Sequence, residues 1–550
     1  MFEHFGKSSV IPWRNRLLAS CLSVALSAFP LNAAERVALS IGPIELSLSV
    51  TDLEQFAETG EISDNLNFYL KYLTDEEQAE LRTFFLERHE IDPVPVAQFL
   101  YSPMGELLLD ELGELIQTES RANGGQSIRA AAILAASDPQ GFSVLSILRQ
   151  YPSYSVWLNT PQIFEVAGQI AYMVEETDNA IVIASDLAQT QATANGSIDF
   201  DEMPDLRQAG SVSYQTRTLT LTDPSRDRTF PVDIHVPDNS PYAEIPVVVI
   251  SHGLGSHRSA FSHIAEQLAS YGFFVAAPEH IGSNYAQQQA MLNGADSEMF
   301  FASEFVDRPA DIRFLLDELE RYNDREFDGR LQLDRVGVLG HSFGGYTALA
   351  LGGAQIDFDN LERDCTDGVN SVNISMLLQC RALELPRETY NFRDDRVAAV
   401  LTANPVNSSI FGERGMASVS VPVLMAGGSL DPVTPLVVEQ VQSFDWLETP
   451  EKYFALVSGQ SHTTGLTALI HTLVPAMSDL IEPDVGLTRN YSRAVPLAFF
   501  QVYLLDNENY RPYLSANYGL SIGEKPFDLY LLSAIEQPQT KTGGKSATDF

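Results

Sequence analysis

Three residues of this chain carry the most chemistry in their type and spacing: Ser342, Asp431 and His462. Ser342 lies in "GHSFGG", where Gly340 and Gly344 complete a G-x-S-x-G pattern. The pattern stands between an apolar run, "VGVL", and a helix-like run, "YTALAL". A strand that becomes a helix within so few residues holds the serine in a strained turn, so its neighbours must be very small. Such a turn lifts the hydroxyl above the end of a sheet, at a helix start whose dipole favours developing negative charge. A tight packing turn is the competing explanation for the glycines.

A serine hydroxyl attacks a carbonyl only with a base beside it, and the base needs an acid to orient it. When the serine sits on a strand-to-helix turn, acid and histidine follow it in that order. The chain after Ser342 contains His462 and His471. His462 comes just after the strand-like "EKYFALVSG", whereas His471 lies inside the helix-like "LTALIHTLV", where packing or surface roles are expected. The expected base is therefore His462. The expected acid is Asp431, in "GGSLDPVTP" beyond the strand-like "VPVLMAGG"; its competing role is to cap the next helix, with Pro432 at the first helical position. The preceding apolar run ends in "TANP", where Asn404 offers no carboxylate.

Negative charge on the attacked oxygen needs backbone N–H donors. One is expected from Phe343, after the nucleophile. The other is expected from the loop "SHGLGSHR", where Leu254 stands between Gly253 and Gly255. His252 in that loop is read as a structural hydrogen-bonding group. Glu279 and His280, in "PEH" at the end of the next strand, either line a substrate pocket or support the fold.

The elements that must position these groups fall in two blocks. Residues 37–50 alternate apolar and polar residues on both sides of Gly42-Pro43, which predicts a hairpin. Helical patterns follow, with capping-box sequences at Thr51–Glu54 and Thr74–Glu77. We expect a mostly helical domain over 34–186, a linker over 187–210 and a catalytic domain over 211–535. In the last, strands and helices alternate and "IPVVVISHG" is a continuous apolar run, as in a strand buried on both faces. The fold class is α/β: a mainly parallel sheet covered by helices on both sides.

"SHGLGSHRSAFSHIAEQLASYGFFVAAPEH", followed by "GHSFGG", resembles the secreted platelet-activating factor acetylhydrolase family of α/β-hydrolases. The resemblance covers about 30 residues plus the serine turn. It implies that Ser342 is the nucleophile and that Leu254 and Phe343 form the oxyanion hole. The segments carrying Asp431 and His462 match that family only loosely, so those two rest on chain order. The first half of the chain resembles a helical domain of unknown function found ahead of such hydrolases in bacteria. Together these imply a serine hydrolase of carboxylic esters, with small-acyl lipid esters as substrate, and no cofactor. The alternatives are a serine peptidase or amide hydrolase using the same triad, and a binding protein on a hydrolase scaffold.

Length and composition agree with two folded units: 550 residues, 45% hydrophobic and 19% charged. A net charge of −39 argues against nucleic acid as a partner. Lys7, Arg14 and Arg16, the apolar run 17–29 and the small Ala33 follow the plan of a secretory signal peptide over 1–33, with a retained anchor as the alternative. Export to the periplasm or outside the cell is expected. In that setting Cys365 and Cys380 are expected to pair. Cys/His spacing suggests no metal site, and "DREFDGRLQLDR" does not fit a calcium loop, with Glu326 at its third position and Arg335 where the closing Glu should stand. The two cysteines lie in an insertion of about 40 residues, 355–394, longer than a plain crossover needs. Its apolar Met376, Leu377 and Leu378 either wall an acyl pocket or cover the insertion's own small core. Residues 536–550 are expected to be a tail. The helical domain is a candidate surface for a partner.

Overall fold

The computed structural model of the chain describes residues 33–366, 372–462 and 485–533. The expected signal peptide except its last residue, the expected tail and His471 lie outside them. The chain divides by compactness into two units, Met1–Glu90 with Leu112–Thr160, and Ile91–Glu111 with Pro161–Phe550.

The first unit is built on a four-stranded sheet as well as helices. The expected hairpin forms from β1 (Arg36–Ile41) and β2 (Ile44–Ser49), joined at Gly42 with φ 59°. Two very short strands, β3 (Ile116–Gln117) and β4 (Ser155–Leu158), complete the order β2-β1-β4-β3. Val37, Leu53, Phe56, Leu66, Leu70 and Leu145 close a core between sheet and helices. The capping box at Thr74 and Glu77 is present. The one expected at Thr51 is not: Ser49 caps that helix, and Glu54 instead pairs with Arg149 at 2.5 Å.

The boundaries differ from those read along the chain. Residues 91–111 and 161–186, expected in the helical domain, group with the second unit. The helix Pro93–Leu100 packs there against the helix Tyr285–Leu292. The expected linker begins inside the long helix Thr160–Asn195, where Gln191 donates to the Ser533 carbonyl. Further on, Leu206 is fully buried in the core of the second unit and Phe200 and Met203 pack against it. Single apolar residues scattered among polar ones gave no periodic signal, yet each fills a gap in the core.

The second unit is a nine-stranded sheet in the order β13-β12-β11-β10-β9-β7-β8-β6-β5. The strands are β5 (Tyr214–Asp223), β6 (Arg228–Pro237), β7 (Ile245–Ser251), β8 (Phe274–Pro278), β9 (Leu331–His341), β10 (Val397–Ala403), β11 (Val423–Gly428), β12 (Lys452–Val457) and β13 (Leu529–Ser533). The run from β8 through β7, β9, β10 and β11 to β12 is parallel. The edges, β6 with β5 and β13, are antiparallel. All seven residues of β7 are buried, which explains its unbroken apolar sequence. The helices Ser262–Ser270 and Val485–Leu505 cover one face, where Leu268, Ala494 and Phe500 meet Val248, Leu339 and Leu401. The helix Phe343–Gly352 contacts β7, β9 and β10.

Strand order places the site. After β7 the chain moves to β8 on one side and then to β9 on the other. The direction of winding reverses between β7 and β9, and the loops leaving their C-terminal ends diverge there into a crevice. The loop 252–256 and the turn at Ser342 leave from those two ends.

Candidate active site

The turn at Ser342 has the strain its sequence implies. Ser342 has φ 55° and ψ −119°, a conformation that non-glycine residues seldom adopt. Its carbonyl accepts from Gly345 N–H at 2.8 Å, and its N–H donates to Ala403 O at 3.0 Å. Both flanking glycines are required by contact. A Cβ on Gly340 would lie 1.9 Å from the Gly344 carbonyl oxygen, and one on Gly344 would lie 2.0 Å from Ser251 O.

His462 and Asp431 meet at the ends of neighbouring strands. His462 Nδ1 is 2.7 Å from Asp431 Oδ2, with both side chains buried. Oδ2 also accepts from the Thr434 hydroxyl at 2.7 Å and from the Asn404 amide. Oδ1 accepts the backbone N–H of Val433 and Thr434 at 2.8 and 2.9 Å. Asp431 thus caps a turn with one oxygen and faces His462 with the other; it does not cap the next helix, which begins at Leu436 after Pro435, so Pro432 is not a first helical residue. Burial by itself would raise its pKa, but the charge and hydrogen bond of His462, with the bonds from Thr434, hold the carboxyl below its ordinary value. The bond at Nδ1 fixes the imidazole with its proton there and makes Nε2 the basic nitrogen. The His462 ring lies against His341, the residue before Ser342, with centroids 4.8 Å apart.

The loop after β7 closes on the serine turn. A Cβ on Gly253 would come within 3.2 Å of Ser342 Cβ. Leu254 and Phe343 are both buried, and among the described residues neither backbone N–H has a hydrogen-bond acceptor. Two unspent donors beside a strained serine suit an oxyanion better than a neutral carbonyl. An apolar cavity of about 220 Å³ lies between the sheet and the helices Ser262–Ser270 and Val485–Leu505, bordered by Phe261, Leu401, Val457, Val495, His341 and Asn404.

Glu279 and His280 are not brought to the triad. Glu279 accepts from the Arg258 backbone and guanidinium at 3.1 Å and from Asn284 at 2.8 Å. His280 is fully buried between Ser251 Oγ at 2.9 Å and Asp311 Oδ2 at 3.3 Å. Burial and the nearby Arg308, Arg228 and Arg226 charges push its pKa well down, so it is neutral. The partners of both residues are those of a fold-supporting hydrogen-bond network.

Within the insertion, Cys365 and Cys380 are joined, with S–S 2.07 Å. Met376, Leu377 and Leu378 lie buried in the helix Met376–Gln379. That helix is fastened to the rest of the unit by the fully buried Glu439. Glu439 Oε1 accepts from Asn373, Ser375, Gln379 and Ser408 side chains at 2.6 to 2.7 Å. Its Oε2 accepts Asn407 and Ser408 N–H at 2.9 and 3.0 Å. Ser375 N–H also reaches Val433 O at 2.9 Å, in the same turn that holds Asp431. The insertion is therefore tied to the acid's own loop.

Sequence reading passed over Thr434, Glu439 and Arg308, and weighed Asn404 only as a missing carboxylate. Only Arg308 had a legible signal. Glu304, Arg308 and Asp311 recur at i, i+4 and i+7 on one face of the helix Glu304–Glu326, together with Phe305, Ile312 and Leu315, and all six are buried. Charges on the apolar face of a helix announce a buried network. Among the described residues no group of three or more His, Cys, Asp or Glu side chains could hold a metal ion. Among them, too, no helix is long and apolar enough to cross a membrane.

Residues 33–159 match a family described as an alpha/beta hydrolase of unknown function. Residues 226–299 match the family of platelet-activating factor acetylhydrolase, isoform II. The platelet-activating factor acetylhydrolase of Canis lupus familiaris is 32% identical over 137 residues, 19% of this chain and 31% of the relative. That of Cavia porcellus is 31% identical over 134 residues, with the same two shares, 19% and 31%. The chain thus spans about a third of the length of these relatives. A monoacylglycerol lipase of Mycolicibacterium smegmatis is 26% identical over 252 residues, 39% of this chain and 80% of the relative.

Proposed function

We propose that this chain, an α/β-hydrolase resembling the platelet-activating factor acetylhydrolases, is an exported serine esterase that cleaves carboxylic esters, with small-acyl lipid esters as substrates. The observation that carries the reading is the arrangement around Ser342. A strained serine, two unspent N–H groups and a buried histidine–carboxylate pair at 2.7 Å share one end of the sheet.

In this reading Ser342 Oγ attacks the ester carbonyl while His462 Nε2 takes its proton. Asp431 holds the imidazole by its Nδ1–H and stabilises the imidazolium that forms. The carbonyl oxygen becomes an oxyanion and accepts from the Leu254 and Phe343 N–H groups. The intermediate collapses, and His462 returns its proton to the leaving alcohol. Water, activated by the same histidine, then releases the acyl group from Ser342. The small acyl group is supported by the resemblance to the platelet-activating factor acetylhydrolases.

The test is Ser342→Ala, with fluorophosphonate labelling of the unsubstituted protein and rates on p-nitrophenyl esters of graded length. We expect a single labelled peptide containing Ser342, rates that fall as the acyl chain lengthens, and loss of nearly all hydrolysis in Ser342→Ala. Retained hydrolysis in that variant would move the nucleophile elsewhere. Peptide cleavage exceeding ester cleavage would favour an amide hydrolase.

A further inference from the structure

Arg308 has no exposed surface and lies behind the loop that follows β7. Its Nη1 donates to His252 O at 2.7 Å and its Nη2 reaches Gly253 O at 3.4 Å. Nε donates to Ser283 Oγ at 2.8 Å. On its other side, the guanidinium carbon sits 4.2 Å from the centre of the Phe343 ring. One side chain therefore touches both segments from which the two unspent N–H groups arise.

The Gly253 carbonyl belongs to the same peptide unit as the Leu254 N–H. It accepts from two directions, Arg308 Nη2 and His252 Nδ1 at 2.8 Å. His252 Nε2 accepts the His280 backbone N–H at 3.1 Å, so the imidazole proton must be on Nδ1, pointing at that carbonyl. Burial, with the nearby Arg308 charge, pushes the His252 pKa well down, which favours the neutral ring in this tautomer. Donation to a carbonyl oxygen draws electron density through the amide and makes its N–H a better donor. The guanidinium over Phe343 fixes the other donor through a buried cation–π contact.

We propose that Arg308 is the positioning residue of the oxyanion hole: it aligns and polarises the Gly253–Leu254 peptide while bracing Phe343. The proposal rests on the serine-esterase reading given above. Burial pushes the Arg308 pKa down to about 9, with Glu304 and Asp311 opposing the fall: Glu304 lies 3.7 Å away, and Arg228 bridges the two carboxylates at 2.7 and 2.8 Å. A positive charge held in this dry setting also stabilises the oxyanion at a distance.

The experiment compares Arg308→Lys, Glu304→Gln/Arg308→Met and Ser283→Ala with the unsubstituted protein. The double variant removes one charge of each sign together, leaving Arg228 its partner Asp311. The Ser283→Ala variant keeps the guanidinium and removes its Nε bond, together with the hydroxyl's bonds to Glu304 Oε2 and His280 O, and it covers the case in which the others fail to fold. Three quantities are read: kcat and KM on p-nitrophenyl acetate, affinity for a trifluoromethyl ketone that forms a tetrahedral adduct, and melting temperature. We expect kcat to fall by about 100-fold in the double variant and in Arg308→Lys, and by a few-fold in Ser283→Ala, with KM little changed. Affinity for the trifluoromethyl ketone should fall in proportion to kcat/KM across all three. A purely structural arginine would lower the melting temperature and leave kcat and analogue affinity of the folded protein unchanged; that result would overturn the proposal. Ser342→Ala run alongside separates the two failures. Activity surviving there refutes the serine reading, whereas Ser342-dependent activity at full rate in the Arg308 variants refutes only the role of Arg308.

Discussion

Replacing Asp431 by Asn changes one atom in a site where every neighbour is a donor. Oδ1 accepts two backbone N–H groups that cannot turn, at 2.8 and 2.9 Å. An amide NH2 placed there would leave both unpaired, at about 1–3 kcal/mol each. The Asn oxygen must therefore take the Oδ1 place, and its NH2 must take the place of Oδ2. There it meets the Asn404 amide, the Thr434 hydroxyl and His462 Nδ1. The hydroxyl can rotate and accept, but His462 must give up its Nδ1 proton to accept as well. That moves the proton to Nε2, the nitrogen that has to take it from Ser342. In a triad with the wrong tautomer, kcat falls by about 10⁴, equal to about 5.5 kcal/mol of transition-state stabilisation. The assay is kcat on p-nitrophenyl acetate for Asp431→Asn, with circular dichroism and a melt to show the fold retained. Loss within ten-fold of the unsubstituted rate would refute the reasoning and place the acid elsewhere. A stability reading accompanies it. The native pKa of Asp431 is lowered, so its contribution is complete above the ordinary carboxylate value and is lost only as the pH falls through the lower native one.

Glu439→Ala should orphan the N–H groups of Asn407 and Ser408 and loosen the whole insertion, lowering stability by about 3 kcal/mol or more in urea unfolding; an unchanged midpoint would mean that water satisfies the cluster at no cost. Reduction of the Cys365–Cys380 bond, which closes a separation of 15 residues, removes about 3 kcal/mol in the chain-entropy model. It should lower hydrolysis of bulky esters before small ones, and non-reducing peptide mapping of protein recovered from its native compartment should find the pair joined. Free thiols at both positions would sink that expectation.

Much of the second unit was legible because its signals are local. The unbroken apolar "IPVVVIS" is buried on both faces in β7, and the glycines about Ser342 mark a turn with no room for a Cβ. The first unit was read as helical because β3 and β4 have two and four residues, too few for an alternating pattern to register. The linker reading of 187–210 failed where isolated Leu206, Met203 and Phe200 entered the core. The Glu279–His280 pair was left open by the sequence, since a polar pair at a strand end suits a pocket and a buried network equally.

The sequence by itself determined most element types of the second unit, the strand-to-helix turn at Ser342 and the order of the expected serine, acid and histidine along the chain. Those follow from periodicity, from glycine's missing side chain and from the count of candidates after Ser342. Only the tertiary structure decided that Asn404 donates to Asp431 across 27 residues and that Arg308 reaches back 55 residues to Gly253. Such contacts depend on which strands become neighbours and where the winding reverses. That choice is made by packing of the whole sheet, and no window of sequence contains it.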